Sequence, residues 1–406
     1  MSQSVRTYER THSWITFSAN LDRLSHKAWM LLGEAESKCQ HIAGVPLRPE
    51  TAGELYKVYL TKGAFGTTSI EGNTLTEAEV RARLEGRLKL PKSREYLGLE
   101  VDNILEACAQ IQDDVIEGRP LELSPERIKH FNGLVLRALE VDEDTAPGEF
   151  RTHRVGVMRY AGAPAEDVPF LVNRLCEWLN GPDFQAVDPY MRFAFAVFKA
   201  VLAHLYIAWI HPFGNGNGRT ARLIEFQVLI QSGLVPLPAG QLLSNHYNLT
   251  RDKYYRELDR ASRSGGHVVP FIEYAVDGFV DGLREQLTYI RRQQLEVTWE
   301  NYVHSAFRGK ETAAEVRRKH LVLDMPARPV PKPTIRRVST RVAEAYAGKT
   351  DKTVTRDLNA LEEMGLISRT GLRHYVASRK MILAFLPPQA QRSPEMTDAD
   401  LEGERP

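Results

Sequence analysis

The chain has 406 residues, 43% of them hydrophobic and 26% charged, with 53 Lys and Arg against 52 Asp and Glu. That length predicts two or three domains with ample apolar content for buried cores, and the balanced charge excludes a protein that binds polyanions over its whole surface, so any such preference is local. Cys39, Cys108 and Cys176 are scattered, with no CxxC pair, and predict reduced thiols. The start, Met1 to Trp14, is polar and has no apolar signal core; the two features together lead to the expectation of a cytoplasmic protein.

From Thr16 to Gln110 the pattern is mostly helical, rich in Ala, Leu, Glu and Lys. Within it, Thr67 and Glu71 lie four apart and therefore share a helix face, and Gly72 or Asn73 can end that helix. Thr76 and Glu79 fit a capping box for the next helix. By itself this stretch reads as an ordinary helix end. Residues 122 to 151 predict a further helical region with a loop from Asp142 to Gly148, closing on Gly-Glu-Phe-Arg. From Thr152 to Tyr160, Val155, Val157 and Tyr160 alternate loosely, which predicts a short β-hairpin. The run Phe193 to Ile210 is almost wholly apolar but contains Lys199 and His204 and abuts a polar loop. It predicts a helix buried on all sides rather than a membrane span.

The loop is His211 to Arg222, HPFGNGNGRTAR. Three glycines and two asparagines between two helical patterns allow a tight turn that aims backbone N–H groups at one point, where the next helix adds its positive end. This is an anion cradle. Arg219 and Arg222 lie three apart near the helix start, so both guanidinium groups are expected to reach one polyanion. His211 sits on the rim as a candidate base, with the near-neutral pKa of an imidazole.

Further on, Tyr254 and Tyr255 form an aromatic pair on a charged helix, a pattern that more often means packing than ligand contact. Helical pattern continues from Val268 to about Lys319; then Pro326, Pro329, Pro331 and Pro333 predict a linker or extended arm. Ile335 to Lys380 reads as a separate small domain: a helix over 338–347, a second starting at Thr350-Asp351, and a two-stranded wing from 366–368 and 374–377 around Gly371. It resembles a winged helix-turn-helix with Lys352 to Met364 in the recognition position. Between 328 and 380 there are twelve Lys and Arg and five Asp and Glu, an excess that suits a phosphate backbone, although such modules also dock proteins.

HPFGNGNGRTAR resembles the signature of the Fic (Fido) family: His-Pro-Phe, any residue, Asp or Glu, Gly-Asn-Gly-Arg, two residues, Arg. Every fixed position matches except Asn215, which stands where the family has an acidic residue. The resemblance implies a mainly α fold, with a Fic helical core and short β-hairpin flap followed by a small α+β winged helix-turn-helix domain. The expected division is an N-terminal helical region 1–110 with an inhibitory helix near 63–72, a catalytic core 111–265, C-terminal helices 266–323, a Pro-rich linker 324–334, the winged domain 335–386 and a disordered tail 387–406.

For function, the resemblance implies a protein adenylyltransferase that moves AMP from ATP to a Ser, Thr or Tyr hydroxyl of a protein target or of itself, with no membrane partner. His211 would be the base; Gly216, Asn217, Gly218, Arg219 and Arg222 would hold the phosphates, and Tyr254 and Tyr255 would lie along the base and ribose. Val155, Gly156, Val157 and Met158 would form the flap that docks the target. The family's Ser or Thr, three residues, Glu, then Gly or Asn pattern matches Thr67 to Gly72 and implies inhibition by Glu71 paired with Arg222. Asn215 falls in the metal-ligand position, with a neutral amide oxygen for Mg²⁺. The alternatives are a catalytically weak nucleotide-sensing regulator acting through DNA or a protein at its C-terminal domain, and a Fic enzyme of different reaction.

Overall fold

The computed structural model describes residues 6–119, 122–157, 160–185 and 188–383. It divides into two compact units, Met1–Leu287 and Thr288–Pro406. The expected tail 387–406 and Met158 lie outside the described residues.

The principal helices of the first unit are α1 (His26–Gly44), α2 (Pro49–Ile70), α3 (Glu77–Leu84), α4 (Glu95–Ile116), α5 (Pro125–Val135), α6 (Val168–Asn180), α7 (Arg192–Ile210), α8 (Asn217–Gln231), α9 (Leu242–Leu249) and α10 (Arg251–Arg263), followed by the first half of α11 (Val269–Ala306). Helix α7 carries Phe198, Tyr206, Trp209 and Ile210 fully or nearly fully buried. Each large side chain of this kind stabilises the fold by about 1.5–3 kcal/mol, and together they fix the helix whose end carries His211. Pro189–Ile210 is, among the described residues, the one helix long and apolar enough to cross a membrane, and it is mostly buried within the protein.

Helix α2 begins with Pro49 in its first turn, where the missing N–H costs nothing. It buries Tyr59, Ala64, Thr67, Thr68 and Ile70. Its end folds back on itself, the Thr68 carbonyl accepting from the Glu71 and Asn73 N–H groups at 3.0 and 3.1 Å. Thr76 and Glu79 then form a reciprocal capping box that starts α3. The short antiparallel pair β1 (Gly156–Val157) and β2 (Tyr160–Ala161) follows α5.

The second unit takes the second half of α11, then α12 (Ala313–Asp324), α13 (Thr340–Ala345) and α14 (Asp351–Glu363) with an antiparallel sheet ordered β3 (Val330–Pro331), β5 (His374–Ala377), β4 (Ile367–Thr370). Trp299, Val303, Leu321, Val354, Leu358 and Tyr375 share one core. Buried Asp357 of α14 accepts from Arg317 and Arg318 of α12, each at 2.8 Å, and from the Tyr346 hydroxyl at 3.1 Å. Two boundaries differ from the sequence reading. The 266–323 helices are shared between the units, because Trp299 and Val303 pack in the second core. The expected 324–334 linker is built into the fold: Met325 and Val330 are buried, and Val330–Pro331 pairs with β5. Proline is tolerated there because β3 is an edge strand, where a missing donor breaks no ladder on the outer side.

Candidate active site

Helix α7 ends at His211, which takes a left-handed φ of 52°, and α8 begins after Gly216, whose φ of 77° suits a residue with no Cβ. The loop between them is locked by its own polar groups. Asn217 Oδ1 accepts from the Phe213 N–H at 2.9 Å while its Nδ2 donates to the Phe213 carbonyl at 2.8 Å. Asn132 of α5 donates to the Asn215 carbonyl at 2.9 Å and accepts from the Gly148 N–H at 3.0 Å. No side chain caps α8, so the N–H groups of its first turn, with the positive end of the helix, are open to an anion. They form one wall of a cavity of about 590 Å³, lined also by Glu71, His211, Arg222, Tyr254 and Tyr255.

Arg222 is the buried cation of this cavity. Its Nε donates to Thr67 Oγ1 at 2.7 Å, and its Nη2 donates to the Thr67 carbonyl at 3.0 Å and to Glu71 Oε1 at 2.7 Å. Its Nη1 is buried and has no hydrogen-bond partner among the described residues, a spare donor in a site that can accept negative charge. Burial raises the Glu71 carboxyl, but Arg222, helped by Arg219, outweighs burial and holds it below the ordinary carboxylate range. Gly218 leaves room for this pair: a Cβ there would overlap Glu71 Oε1 and sit 3.1 Å from Arg222 Nη1.

His211 Nδ1 lies 3.3 Å from the Ala208 carbonyl. A carbonyl only accepts, so the proton belongs on Nδ1 and Nε2 keeps its lone pair. Burial pushes the imidazole down to about 4, with Arg151 adding to the depression and the Ala208 carbonyl and Glu71 opposing it. The near-neutral value expected from sequence is therefore corrected: the ring is neutral throughout physiological pH. Its unusual backbone is held by Arg151, which is 4% exposed and donates to the carbonyls of His211 at 2.7 Å, His153 at 2.7 Å, Ile210 at 3.3 Å and Ala163. The same residue thus fastens the β1–β2 hairpin to the His211 peptide. The Tyr160 hydroxyl, donating to the Trp209 carbonyl at 2.7 Å, adds a second tie.

The structure brings together most of the residues singled out in the sequence, and not all. Val155, Gly156 and Val157 line the cavity with His211, Gly216, Asn217, Gly218, Arg222, Tyr254 and Tyr255. Arg219 is not among the residues lining that wall. Its guanidinium donates to Glu100 Oε1 and Asn215 Oδ1, both at 3.2 Å, drawn there by the Glu100 carboxylate on α4. Asn217 contributes backbone, its side chain being spent on Phe213.

Asn215 is engaged within the protein. Its Oδ1 accepts from the Gly216 N–H at 2.6 Å and from Arg219, so the oxygen that would meet a metal is neutral and already engaged. No cluster of three or more His, Cys, Asp or Glu able to hold a metal occurs among the described residues. These residues do not fit a protein-held Mg²⁺, which prefers anionic oxygen.

Sequence reading missed Arg151, Asn132 and the His204–Glu225 pair. His204 Nε2 meets the Tyr254 hydroxyl at 2.9 Å, while Glu225 Oε2 lies 3.2 Å from His204 Nδ1 and Glu225 Oε1 accepts from Tyr247 at 2.8 Å. For Asn132, His204 and Glu225 the only signal was a polar residue within a helical pattern; Arg151 lies in a loop and carried none.

Residues 122–229 match the model of the Fic/DOC family. The chain is 30% identical over 220 residues to protein adenylyltransferase Fic of Drosophila ananassae, spanning 52% of this chain and 39% of the relative. It is 31% identical over 223 residues to protein adenylyltransferase fic-1 of Caenorhabditis elegans, spanning 54% and 39%. The chain thus spans about two fifths of the length of these curated relatives. Among solved structures, a Fic family protein of Desulfovibrio desulfuricans shares the fold with a TM-score of 0.54 at 20% identity, covering 87% of this chain and 96% of that one. Fic-1 of C. elegans does so with a TM-score of 0.53 at 24% identity, covering 65% and 73%.

Proposed function

We propose that the protein is an adenylyltransferase: it transfers AMP from ATP to a hydroxyl of a protein substrate, its own chain included. The observation that carries this reading is the convergence, around one cavity, of a neutral His211, the uncapped start of α8 and Arg222 with an unpartnered Nη1. A general base, a row of N–H donors and a buried cation are what in-line attack on a phosphate needs.

In this mechanism the triphosphate lies along the Gly216–Gly218 backbone, with the base and ribose toward Tyr254 and Tyr255. The target hydroxyl, presented along the exposed edge of the β1–β2 hairpin, attacks the α-phosphorus. A bond forms from that oxygen to the α-phosphorus, and the bond from the α-phosphorus to the oxygen bridging to the β-phosphorus breaks. The hydroxyl proton passes to His211 Nε2, and pyrophosphate leaves with the electron pair. Arg222 and the α8 N–H groups carry the phosphate charge, and no step is assigned to a protein-bound metal.

Glu71 inhibits in this account. Its carboxylate occupies Arg222, the group that a terminal phosphate would otherwise take, so ATP settles in a reactive pose only when Glu71 withdraws. Thr67, bonded to the same guanidinium, sets the distance between helix and arginine. A second reading has its own support: the engaged, neutral Asn215 favours a slow nucleotide sensor over an efficient enzyme. Labelled ATP separates the classes. Glu71→Gly protein that retains label from the α-phosphate, and none from the γ-phosphate, is an adenylyltransferase; retention of the γ label contradicts it, and retention of neither favours the sensor. Activity in the cytoplasm on a soluble target is part of the proposal.

A further inference from the structure

We propose that the second unit is a duplex-DNA-binding module, with the N-terminal half of α14 as its groove-reading element and the β4–β5 turn as its second contact. This stands independently of the transferase reading. The sequence of α14 sorts its residues into two faces. Val354, Leu358 and Leu361 are buried in the core, and Asp357 is consumed by Arg317, Arg318 and Tyr346. The opposite face carries Lys352, Thr355, Arg356 and Asn359 at helical spacing, of which Lys352, Arg356 and Asn359 are exposed. These are the side-chain types that donate to phosphates and to base edges. Acidic Glu362 and Glu363 fall at the far end of the helix, and Asp351 in its first turn is paired with Arg336, so the positive field of Lys352 and Arg356 falls at its start, the end that enters the groove in helix-turn-helix proteins.

The turn between β4 and β5 adds a second group. Arg369 and Arg373 are exposed, and Leu372 at its tip is 96% exposed. One residue ties this turn to the helix face. The Lys332 N–H donates to the Arg373 carbonyl at 2.9 Å, and its Nζ donates to Thr355 Oγ1 at 2.8 Å. Arg373 and the Thr355 face of α14 therefore meet across Lys332 and form one basic surface. Lys352, Arg356 and Arg373 have no ion pair among the described residues, whereas Arg336, Arg341 and Arg379 are each paired with a carboxylate. A single protruding helix fits the wide major groove of B-form DNA and not the deep, narrow one of an RNA duplex, which selects DNA as the partner.

The test uses the full chain and a fluorescent mixed-sequence DNA duplex a few helical turns long, titrated across roughly 50–200 mM salt. Wild type is expected to bind with steep salt dependence. Lys352→Glu/Arg356→Glu should weaken binding at least tenfold and flatten the slope of log affinity against log salt by about 0.9 per lost phosphate contact. The charge-matched Lys89→Glu/Lys92→Glu, at exposed lysines of the first unit, should bind as wild type, and equal thermal midpoints show that the variants are folded. Absence of duplex binding by wild type, equal weakening by both double variants, or equal binding of an RNA duplex of the same sequence would each overturn the proposal, the first pointing to a protein partner instead.

Discussion

Consider replacing Glu71 and measuring nucleotide binding. Arg222 is 1% exposed and Glu71 30% exposed, joined by one short charged hydrogen bond of 2.7 Å. Such a bond contributes about 1.5–3 kcal/mol, which ATP must displace before its terminal phosphate can use the arginine. Glu71→Gly should therefore tighten ATP binding roughly ten- to hundredfold. Glu71→Gln keeps the shape and a neutral hydrogen bond worth about half as much, so its gain should be about three- to tenfold. Stability should move the other way. Without Glu71 the buried guanidinium keeps only Thr67, and the ATP-free Glu71→Gly protein should melt about 2–8 °C below wild type. ATP then fills the vacant charge and should raise the midpoint of the variant more than that of wild type. Calorimetric titration with a non-hydrolysable ATP analogue, paired with thermal melts, measures both. Unchanged affinity together with an unchanged melt would refute the reasoning, because it would mean that the ion pair neither blocks the site nor balances Arg222.

Three further outcomes are expected. Because the His211 pKa lies at about 4 in the folded protein, below the ordinary value of about 6.5, kcat/KM of Glu71→Gly should show no inflection near pH 6.5 and should fall only as pH approaches 4. The stability that the neutral ring contributes is complete above about 6.5 and is lost as pH falls through about 4. Arg151→Lys keeps a charge but cannot reach four carbonyls; transfer should drop at least tenfold (about 1.4 kcal/mol) with the Kd for nucleotide unchanged, since Arg151 acts on the His211 peptide. Asn215→Asp should make transfer by Glu71→Gly protein rise about tenfold at saturating Mg²⁺ (about 1.4 kcal/mol), read as a metal titration against Asn215; equal curves would show that Arg219 captures the new carboxylate.

The sequence carried the parts of this protein that are written locally. The loop His211 to Arg222 is legible because glycine at a left-handed position and arginine one turn into a helix have few other uses. The capping box at Thr76 and Glu79 is legible because both partners lie within one turn. What failed to show is long-range. Arg219 and Arg222 look equivalent in sequence, and only Glu100, over a hundred residues earlier, decides that one turns away. Arg151 sits in a plain Gly-Glu-Phe-Arg, and nothing in that string says that its acceptors include, besides His153 nearby, the carbonyls of Ala163, Ile210 and His211 farther along the chain. The four prolines at 326–333 read as a linker because proline is scarce in strands, yet the edge strand β3, paired with β5, accommodates Pro331.

The central claim is that His211 takes the proton of a hydroxyl attacking the α-phosphate, in a site that Glu71 otherwise blocks. The most direct measurement compares incorporation of α-labelled ATP into protein by wild type, Glu71→Gly and Glu71→Gly/His211→Ala. The account predicts weak labelling of wild type, strong labelling of Glu71→Gly, and a return to background when His211 is removed while ATP binding persists. Labelling of Glu71→Gly that survives the loss of His211 would contradict it.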